Sequence, residues 1–336
     1  MSTVLSRAHC IRSSPVLARI VSVAAATRFA VPARRRFAAF VVAPVRFINT
    51  RSSLAMSAPA AASAGSDAGV APTPIKIVAG QTRVGWIGTG VMGNSMCGHL
   101  MAGLSCPTTV YNRTESKTAT LAAKGARVAK TVEEVGQHSD VVFAIVAMPS
   151  DVRRVFLGDA STSVKGLIDV MQPGSILVDM TTSEPALARE IHAAAAKKGI
   201  CALDAPVSGG DIGAREARLS IMVGGDQKVL EEVTPMLQTM GKNITLCGGA
   251  GAGQHTKMVN QILIANGLIG VVEGLLYAQR AGLDPLTVIS AVQAGAAGSW
   301  SITNLGPKIV ARDFKPGFFV EVSRENDLGR MRWGGL

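Results

Sequence analysis

Short apolar runs alternate with helical periods from about residue 83 to residue 249. The run Val141–Ala147 contains no polar alternation, as expected of a central parallel strand that is buried on both faces. Further short apolar runs predict strands at Arg83–Ile87, Thr108–Tyr111, Ser175–Asp179, Cys201–Ala205 and Ser220–Val223. Because helical segments separate these strands, the pattern predicts a doubly wound α/β domain built on a parallel sheet.

The strand signal stops after about Gly249. Gln254–Arg280 has a helical pattern around a largely apolar stretch, Ile262–Val272, of about eleven residues, which is too short to span a bilayer. We therefore expect a helix buried between two domains, and no membrane partner. Pro285–Gln293 and Ser299–Leu305 predict further helices. The expected organisation is an α/β domain over residues 80–248 and a small all-α domain over residues 249–336.

Charge is concentrated at the start of the chain. The net charge is +11, but residues 1–66 hold nine Arg, no Lys and no acidic residue, which leaves 25 basic against 23 acidic residues elsewhere. This distribution argues against nucleic-acid binding. A segment rich in Arg, Ser and Ala is typical of an organelle transit peptide. We expect residues 1–79 to be a transit peptide and flexible linker that direct the protein to the mitochondrial matrix, with the plastid stroma as the alternative.

The cysteine pattern predicts neither a disulfide framework nor a zinc site. The five cysteines are widely spaced, and no two of them form a Cys-x-x-Cys pair. His255 has no partner at metal-ligand spacing, so we expect no metal.

A glycine-rich turn follows the first strand and opens a helix. It reads Gly88, Thr89, Gly90, Val91, Met92 and Gly93. In such a turn the first glycine permits the tight bend, the second lets the backbone approach a pyrophosphate, and the third lets the helix pack on the strand. Glycine-rich turns are common, but the strand–turn–helix context favours a Rossmann-type dinucleotide site over a structural turn.

The end of the second strand bears on cofactor choice. A carboxylate at this place would hold the ribose 2′-hydroxyl of NAD, but the chain has Asn112, Arg113 and Thr114 there. Because Arg113 can pair with a 2′-phosphate, we expect NADP(H) to be preferred, with NAD(H) possible. The alternative is that Arg113 is an ordinary solvated charge.

Two later segments carry candidate substrate chemistry. Ser208, Gly209 and Gly210 can turn backbone N–H groups and a hydroxyl toward a carboxylate, although a turn without a ligand has the same composition. Lys257 and Asn260 are three residues apart and share a helix face. A lysine beside a partly apolar cofactor site can shuttle protons, whereas a lone helical lysine is usually a solvated charge.

Five motifs in fixed order resemble the β-hydroxyacid dehydrogenase family, especially its 3-hydroxyisobutyrate dehydrogenase and glyoxylate or succinic semialdehyde reductase branches. They are VGWIGTGVMG (84–93), YNRT (111–114), VDMTTSEP (178–185), DAPVSGGDIGA (204–214) and GAGQHTKMVNQ (251–261). The resemblance implies that Lys257 is the catalytic lysine and that Asn260 orients the substrate or supports Lys257. It assigns the substrate carboxylate to Ser208, Gly209 and Gly210, and cofactor contacts to Met148, Pro149 and Thr182. Gln261 stands where the family usually has asparagine.

The end of the chain departs from the family. Asp327-Leu328-Gly329 resembles the family's Lys-Asp-Leu segment, but Asn326 occupies the place of its lysine. We expect a truncated helical domain, which would expose the apolar face of the long helix and put a homo-oligomer in doubt. The resemblance implies interconversion of a small β-hydroxy acid and its semialdehyde, with 3-hydroxyisobutyrate as the leading substrate. The alternatives are an NADPH-dependent glyoxylate or succinic semialdehyde reductase, or a non-catalytic cofactor-binding scaffold.

Overall fold

A computed structural model describes residues 72–314. Its strands are β1 (Val84–Ile87), β2 (Thr108–Tyr111), β3 (Arg127–Val128), β4 (Val141–Ala144), β5 (Ile176–Asp179), β6 (Cys201–Asp204), β7 (Val207–Ser208), β8 (Leu219–Gly224) and β9 (Gly241–Gly248). Its α-helices are α1 (Val91–Leu104), α2 (Ala119–Ala122), α3 (Val132–Gln137), α4 (Pro149–Leu157), α5 (Leu167–Val170), α6 (Pro185–Ala196), α7 (Gly210–Arg215), α8 (Gln227–Gln238), α9 (Ala252–Arg280), α10 (Pro285–Val292), α11 (Trp300–Asn304) and α12 (Gly306–Val310).

The strands form one sheet in the order β3-β2-β1-β4-β5-β6-β8-β7, with β9 on β8. The six strands from β3 to β6 are parallel. Strand order reverses between β1 and β4, and this reversal opens a crevice at their carboxyl ends, where α/β proteins bind ligands. The predicted fold class is confirmed. A detail that the sequence pattern did not show is that β8 runs antiparallel to β6 and β7.

Both faces of the sheet are covered by helices. In β1, Val84 and Trp86 belong to one buried cluster and Ile87 to the other, because successive side chains point to opposite faces. Trp86 stacks on Phe143 of β4 with ring centroids 5.5 Å apart. Burial on both faces explains why the central strands have continuous apolar sequences. The predicted strand at Val141–Ala147 is shorter than expected, since residues 145–147 leave the sheet and form a loop at its carboxyl edge.

The long helix α9 differs from its prediction. It has 29 residues, and only 6% of its most apolar 18-residue window is buried. The exposed apolar side chains include Val259, Leu263, Ile269, Leu276 and Tyr277. The expectation of a buried helix is therefore wrong. The length argument against a membrane span is wrong as well, because apolar residues on both sides of Ile262–Val272 lengthen the stretch. By length and composition alone, α9 could cross a bilayer.

Only the beginning of α9 and a patch near its end are buried. Gly253, Gln254 and Lys257 pack against the sheet domain. Near the other end, Leu275 joins Ile289 of α10 and Ile302 of α11 in a small separate core. The segment around Asn326 lies outside the described residues, as does most of the predicted transit peptide and linker.

Candidate active site

The glycine turn after β1 is shaped by close backbone contacts. Gly88 has φ of +94°, and a Cβ there would overlap the carbonyl oxygen of Ile145. A Cβ at Gly93 would overlap the carbonyl oxygen of Gly88, so glycine is required for α1 to start this close to β1. A Cβ at Gly90, in contrast, would have no atom within 4 Å. Gly90 thus faces free space in front of the turn.

This turn fits the phosphates of a dinucleotide. The first turn of α1, which begins at Val91 and Met92, has no acidic residue, and Gly90 offers no side-chain cap. The free N–H groups and the helix dipole therefore favour an anion. Thr89 is only 3% exposed, yet its hydroxyl has no hydrogen-bond partner in the protein. A buried hydroxyl usually has a partner, and a phosphate oxygen would supply one.

The loop after β2 is tied to the glycine turn by Asn112. Its Oδ1 accepts a hydrogen bond of 3.0 Å from the Thr89 N–H, and its Nδ2 donates one of 2.9 Å to the carbonyl oxygen of Thr114. The Arg113 side chain is 84% exposed and lies 3.5 Å from a carboxylate oxygen of Asp151. A guanidinium that is held at the edge of the crevice and open to solvent remains able to meet an anionic group.

The loops after β4 and β5 meet at the same edge of the sheet. The Val146 N–H donates a hydrogen bond of 3.0 Å to Oγ1 of Thr181. Met148 precedes α4 and Pro149 is the first residue of that helix, while Thr182 is half-buried directly after Thr181. Because parallel strands end at one edge, these residues lie on the side of the sheet that carries the glycine turn.

A hydrogen bond connects the two predicted substrate segments. Oγ of Ser208 donates to Oδ1 of Asn260 over 3.1 Å, although 52 residues separate them in the sequence. Gly209 and Gly210 follow with φ of +132° and +64°, which glycine adopts readily. The Ser208 turn therefore faces the side of α9 that carries Asn260.

Lys257 lies one helical turn before Asn260 on α9 and is 7% exposed. Residues three apart on a helix share a face, so Lys257 and Asn260 point to the same side as the Ser208 turn. Nδ2 of Asn260 donates a 3.0 Å hydrogen bond to Oε1 of Gln261, so Gln261 contacts Asn260. A lone lysine on a helix is usually exposed to solvent, whereas Lys257 is buried.

Sequence reasoning assigned no role to three buried polar residues, Asp204, Gln254 and Thr181, each at most 4% exposed. Asp204 ends β6, and burial raises the pKa of its carboxyl group above its ordinary value, against the opposing effect of hydrogen bonds from backbone N–H groups such as that of Gly251. The position of Asp204 at the end of an apolar strand was a usable signal. The described residues contain no group of three or more metal-ligating side chains.

Two family models match the chain. The NAD-binding domain of 6-phosphogluconate dehydrogenase matches residues 83–249, and the NAD-binding region of NADP-dependent 3-hydroxyisobutyrate dehydrogenase matches residues 251–331. An Arabidopsis thaliana protein, probable 3-hydroxyisobutyrate dehydrogenase-like 1, mitochondrial, is 51% identical over 245 residues, which cover 73% of this chain and 71% of that protein. The chain belongs to the β-hydroxyacid dehydrogenase family.

Other members support this assignment. The Escherichia coli 2-hydroxy-3-oxopropionate reductase is 37% identical over 73% of this chain and 81% of its own length. The solved structure of Mycobacterium tuberculosis 3-hydroxyisobutyrate dehydrogenase is 30% identical, with a TM-score of 0.64 over 73% of this chain and 84% of that one. This β-hydroxyacid dehydrogenase is thus an NAD(P)-dependent, 3-hydroxyisobutyrate dehydrogenase-like oxidoreductase that acts on a CH–OH group. The predicted family and enzyme class are confirmed.

Proposed function

We propose that this dehydrogenase interconverts a small β-hydroxy acid and its semialdehyde, with 3-hydroxyisobutyrate as the leading substrate. The observation that carries the proposal is the Ser208–Asn260 hydrogen bond, which joins the turn expected to hold a carboxylate to the helix face of Lys257. A substrate with a carboxylate close to its carbon–oxygen centre would be held at one end by the turn and reached at the other by the lysine amine.

In this proposal each residue has a separate task. The amides of residues 90–93 and the Thr89 hydroxyl bind the pyrophosphate, because the N–H groups of Gly88 and Thr89 already donate to protein oxygens. Met148 and Pro149 flank the nicotinamide, and Thr182 contacts the cofactor. When bound, the cofactor would supply the hydride for the carbonyl carbon in reduction and would take up the hydride from the alcohol carbon in oxidation. Lys257 gives a proton to the carbonyl oxygen in reduction, and in oxidation its neutral amine takes the hydroxyl proton. Ser208, Gly209 and Gly210 hold the carboxylate, and Asn260 orients the bound substrate.

A second candidate is reduction of glyoxylate, succinic semialdehyde or a related semialdehyde. It is favoured by the Escherichia coli relative, whose name specifies 2-hydroxy-3-oxopropionate reduction.

The protein without residues 1–79 would be assayed with methylmalonate semialdehyde, succinic semialdehyde, 2-hydroxy-3-oxopropionate and glyoxylate, and in reverse with 3-hydroxyisobutyrate. We expect the highest kcat/KM for the 3-hydroxyisobutyrate pair. A higher value for another substrate would transfer the assignment to it, and binding of cofactor without any turnover would favour a scaffold.

We also propose that NADP(H) is the preferred cofactor. The family model over residues 251–331 is described for an NADP-dependent enzyme, and the solvent-exposed guanidinium of Arg113 follows the second strand, where a 2′-phosphate is expected. Arg113→Ala is expected to raise KM for NADPH about 10- to 100-fold, because a charge-assisted hydrogen bond contributes about 1.5–3 kcal/mol. KM for NADH should change little. Arg127→Ala, which removes another exposed arginine that pairs with an acid, is the control. A wild-type enzyme that prefers NADH would contradict the proposal.

The relatives further support a mitochondrial address, since the Arabidopsis protein is named as mitochondrial. We propose that residues 1–79 carry that address, that residues 80–248 bind the cofactor, and that the helical part from residue 249 completes the substrate site. A fluorescent protein fused behind residues 1–79 should accumulate in mitochondria. Accumulation in plastids would support the alternative address.

A further inference from the structure

The beginning of α9 is fastened to the sheet by a buried carboxylate. Oδ1 of Asp204 accepts a hydrogen bond of 2.7 Å from the Gly251 N–H, and Oδ2 accepts one of 2.8 Å from the Gln254 N–H. These N–H groups belong to the N-cap residue and to the third residue of the helix, and Gly251 itself provides no side-chain cap. The carboxylate therefore fixes where the helix that carries Lys257 begins.

Glycines leave this junction without spare room. A Cβ at Gly224 would lie 2.5 Å from Oδ1 of Asp204 and 2.7 Å from the backbone nitrogen of Gly253. A Cβ at Gly253 would overlap the carbonyl oxygen of Met222 in β8. Backbone is packed against backbone here, so the first turn of α9 has little freedom to shift relative to β6 and β8.

Gln254 extends the junction to a second loop. Its side chain is fully buried, and its amide group makes two hydrogen bonds to the loop after β5. Nε2 donates a hydrogen bond of 2.7 Å to the carbonyl oxygen of Thr181, and Oε1 accepts one of 2.7 Å from the Ser183 N–H. A buried amide that makes both bonds is held in one orientation, because leaving either group unpaired is costly.

Thr181 passes the connection to the loop after β4. Its Oγ1 accepts the 3.0 Å hydrogen bond from the Val146 N–H, two residues before Met148. Its own N–H donates a hydrogen bond of 3.0 Å to Oδ1 of Asp179, which fixes the Thr181 backbone at the end of β5. A series of buried and half-buried hydrogen bonds thus runs from the helix of Lys257 through Gln254 and Thr181 to the loop that leads to Met148 and Pro149.

We propose that Gln254 is a positioning residue that sets the place of the Lys257 amine relative to the nicotinamide subsite beside Met148 and Pro149. This inference rests on the proposed roles of Lys257, Met148 and Pro149. Hydride transfer acts on the carbon and proton transfer on the oxygen of one carbon–oxygen bond. The nicotinamide and the Lys257 amine therefore have to be held at a fixed distance from each other. A displacement of about 1 Å can lower a rate about 100-fold. Gln254 touches neither substrate nor cofactor in this scheme and acts through the elements that it joins.

The first test compares Gln254→Leu, Thr181→Val and the double variant. Gln254→Leu removes both amide hydrogen bonds at similar volume, and Thr181→Val removes the acceptor for Val146 at similar shape. We expect each single variant to lower kcat about tenfold or more, with KM and the Kd for NADPH changed less than about threefold. The hydrogen bonds of Gln254 and Thr181 act in series, so breaking both should add little to breaking one. The kcat of the double variant should lie within about twofold of the kcat of the slower single variant.

Ser139→Ala is the matched control. The Ser139 hydroxyl is also buried and donates a hydrogen bond of 2.7 Å to a backbone carbonyl, but it lies before β4, at the opposite edge of the sheet. This variant should keep the wild-type kcat. A Gln254→Leu enzyme with wild-type kcat, or a double variant whose loss equals the product of the two single losses, would overturn the proposal. If Gln254→Leu does not fold, Thr181→Val is the test. A tenfold loss of kcat in Thr181→Val would support the connection, and a wild-type kcat would overturn the proposal.

A second measurement tests the connection without depending on enzyme activity. Hydrogen–deuterium exchange of the protein without substrate reports how firmly each N–H is held. In Gln254→Leu we expect faster exchange at Ser183, which loses its acceptor, and also at Val146, whose own acceptor is intact. Exchange at Val146 at the wild-type rate would show that Gln254 does not act on that loop and would overturn the proposal. If no form turns over any semialdehyde, the proposed function fails, and the exchange at Val146 still decides on the connection.

Discussion

Lys257→Ala is expected to lower kcat by about 10²- to 10⁴-fold, the range that one general acid–base group contributes. Without the amine, the oxygen of the reacting carbon–oxygen bond receives its proton only from water. Because Lys257 lies on α9 and not in the glycine turn, the Kd for NADPH should stay within about threefold of the wild-type value. Stopped-flow turnover and quenching of protein fluorescence by NADPH measure the two quantities separately.

Two further variants separate the possible reasons for such a loss. Lys257→Arg keeps the positive charge but not the ability to release a proton at neutral pH, so it should be nearly as slow as the alanine variant. Lys242→Ala removes an exposed lysine of β9 and should retain full activity. If Lys257→Arg recovered wild-type turnover, Lys257 would serve only as a charge. An active Lys257→Ala enzyme would remove this residue from the mechanism.

Gly90→Ala is expected to weaken NADPH binding about 10- to 100-fold while the fold remains intact. A Cβ at this position meets no protein atom, and φ at Gly90 is −71°, which alanine adopts without strain. The methyl group would instead occupy space that the pyrophosphate needs. Forcing such an overlap costs about 1–3 kcal/mol, and each 1.4 kcal/mol is a factor of ten in affinity. Isothermal titration with NADPH measures the loss, and Tm checks the fold.

Gly267→Ala is the control for this substitution. It also adds a methyl group in open space, but in the middle of α9, where alanine is favoured over glycine by about 1 kcal/mol. Its NADPH affinity should equal that of the wild type. Unchanged affinity in Gly90→Ala would mean that no phosphate approaches the turn, and the dinucleotide site would have to lie elsewhere.

The parts of the fold that sequence reasoning found are those with local signals. The strands β1, β4 and β5 are buried on both faces, so their composition alone marks them. The glycines after β1 form a recognisable pattern within six residues, although the contact that requires Gly88 is with Ile145, 57 residues away. The strand β9 was missed because exposed residues such as Lys242 and Asn243 interrupt its apolar pattern. The burial of α9 was predicted wrongly because its apolar residues lie on several sides, so the sequence does not indicate which side meets protein.

The candidate site divides in the same way. Lys257 and the Ser208 turn could be proposed from residue type and spacing, although their proximity depends on pairing across 52 residues. Gln254 could not be found, since both groups that its side chain contacts are backbone atoms, 71 and 73 residues away in sequence. A hydrogen bond to a backbone group does not depend on the identity of the partner residue, so the sequence does not indicate it. Only the three-dimensional structure shows these contacts of Gln254.

The close packing of Gly253 against β8 also restricts how the crevice can open to admit a dinucleotide. Since the first turn of α9 has no room to tilt, it is unsuited to serve as a hinge. Farther along the same helix, Gly267, Gly270 and Gly274 have no neighbouring atoms within 4 Å of an added Cβ, and glycine weakens helix rigidity. Any bending of α9 is therefore expected beyond Asn260, so that Lys257 keeps its place against the sheet domain.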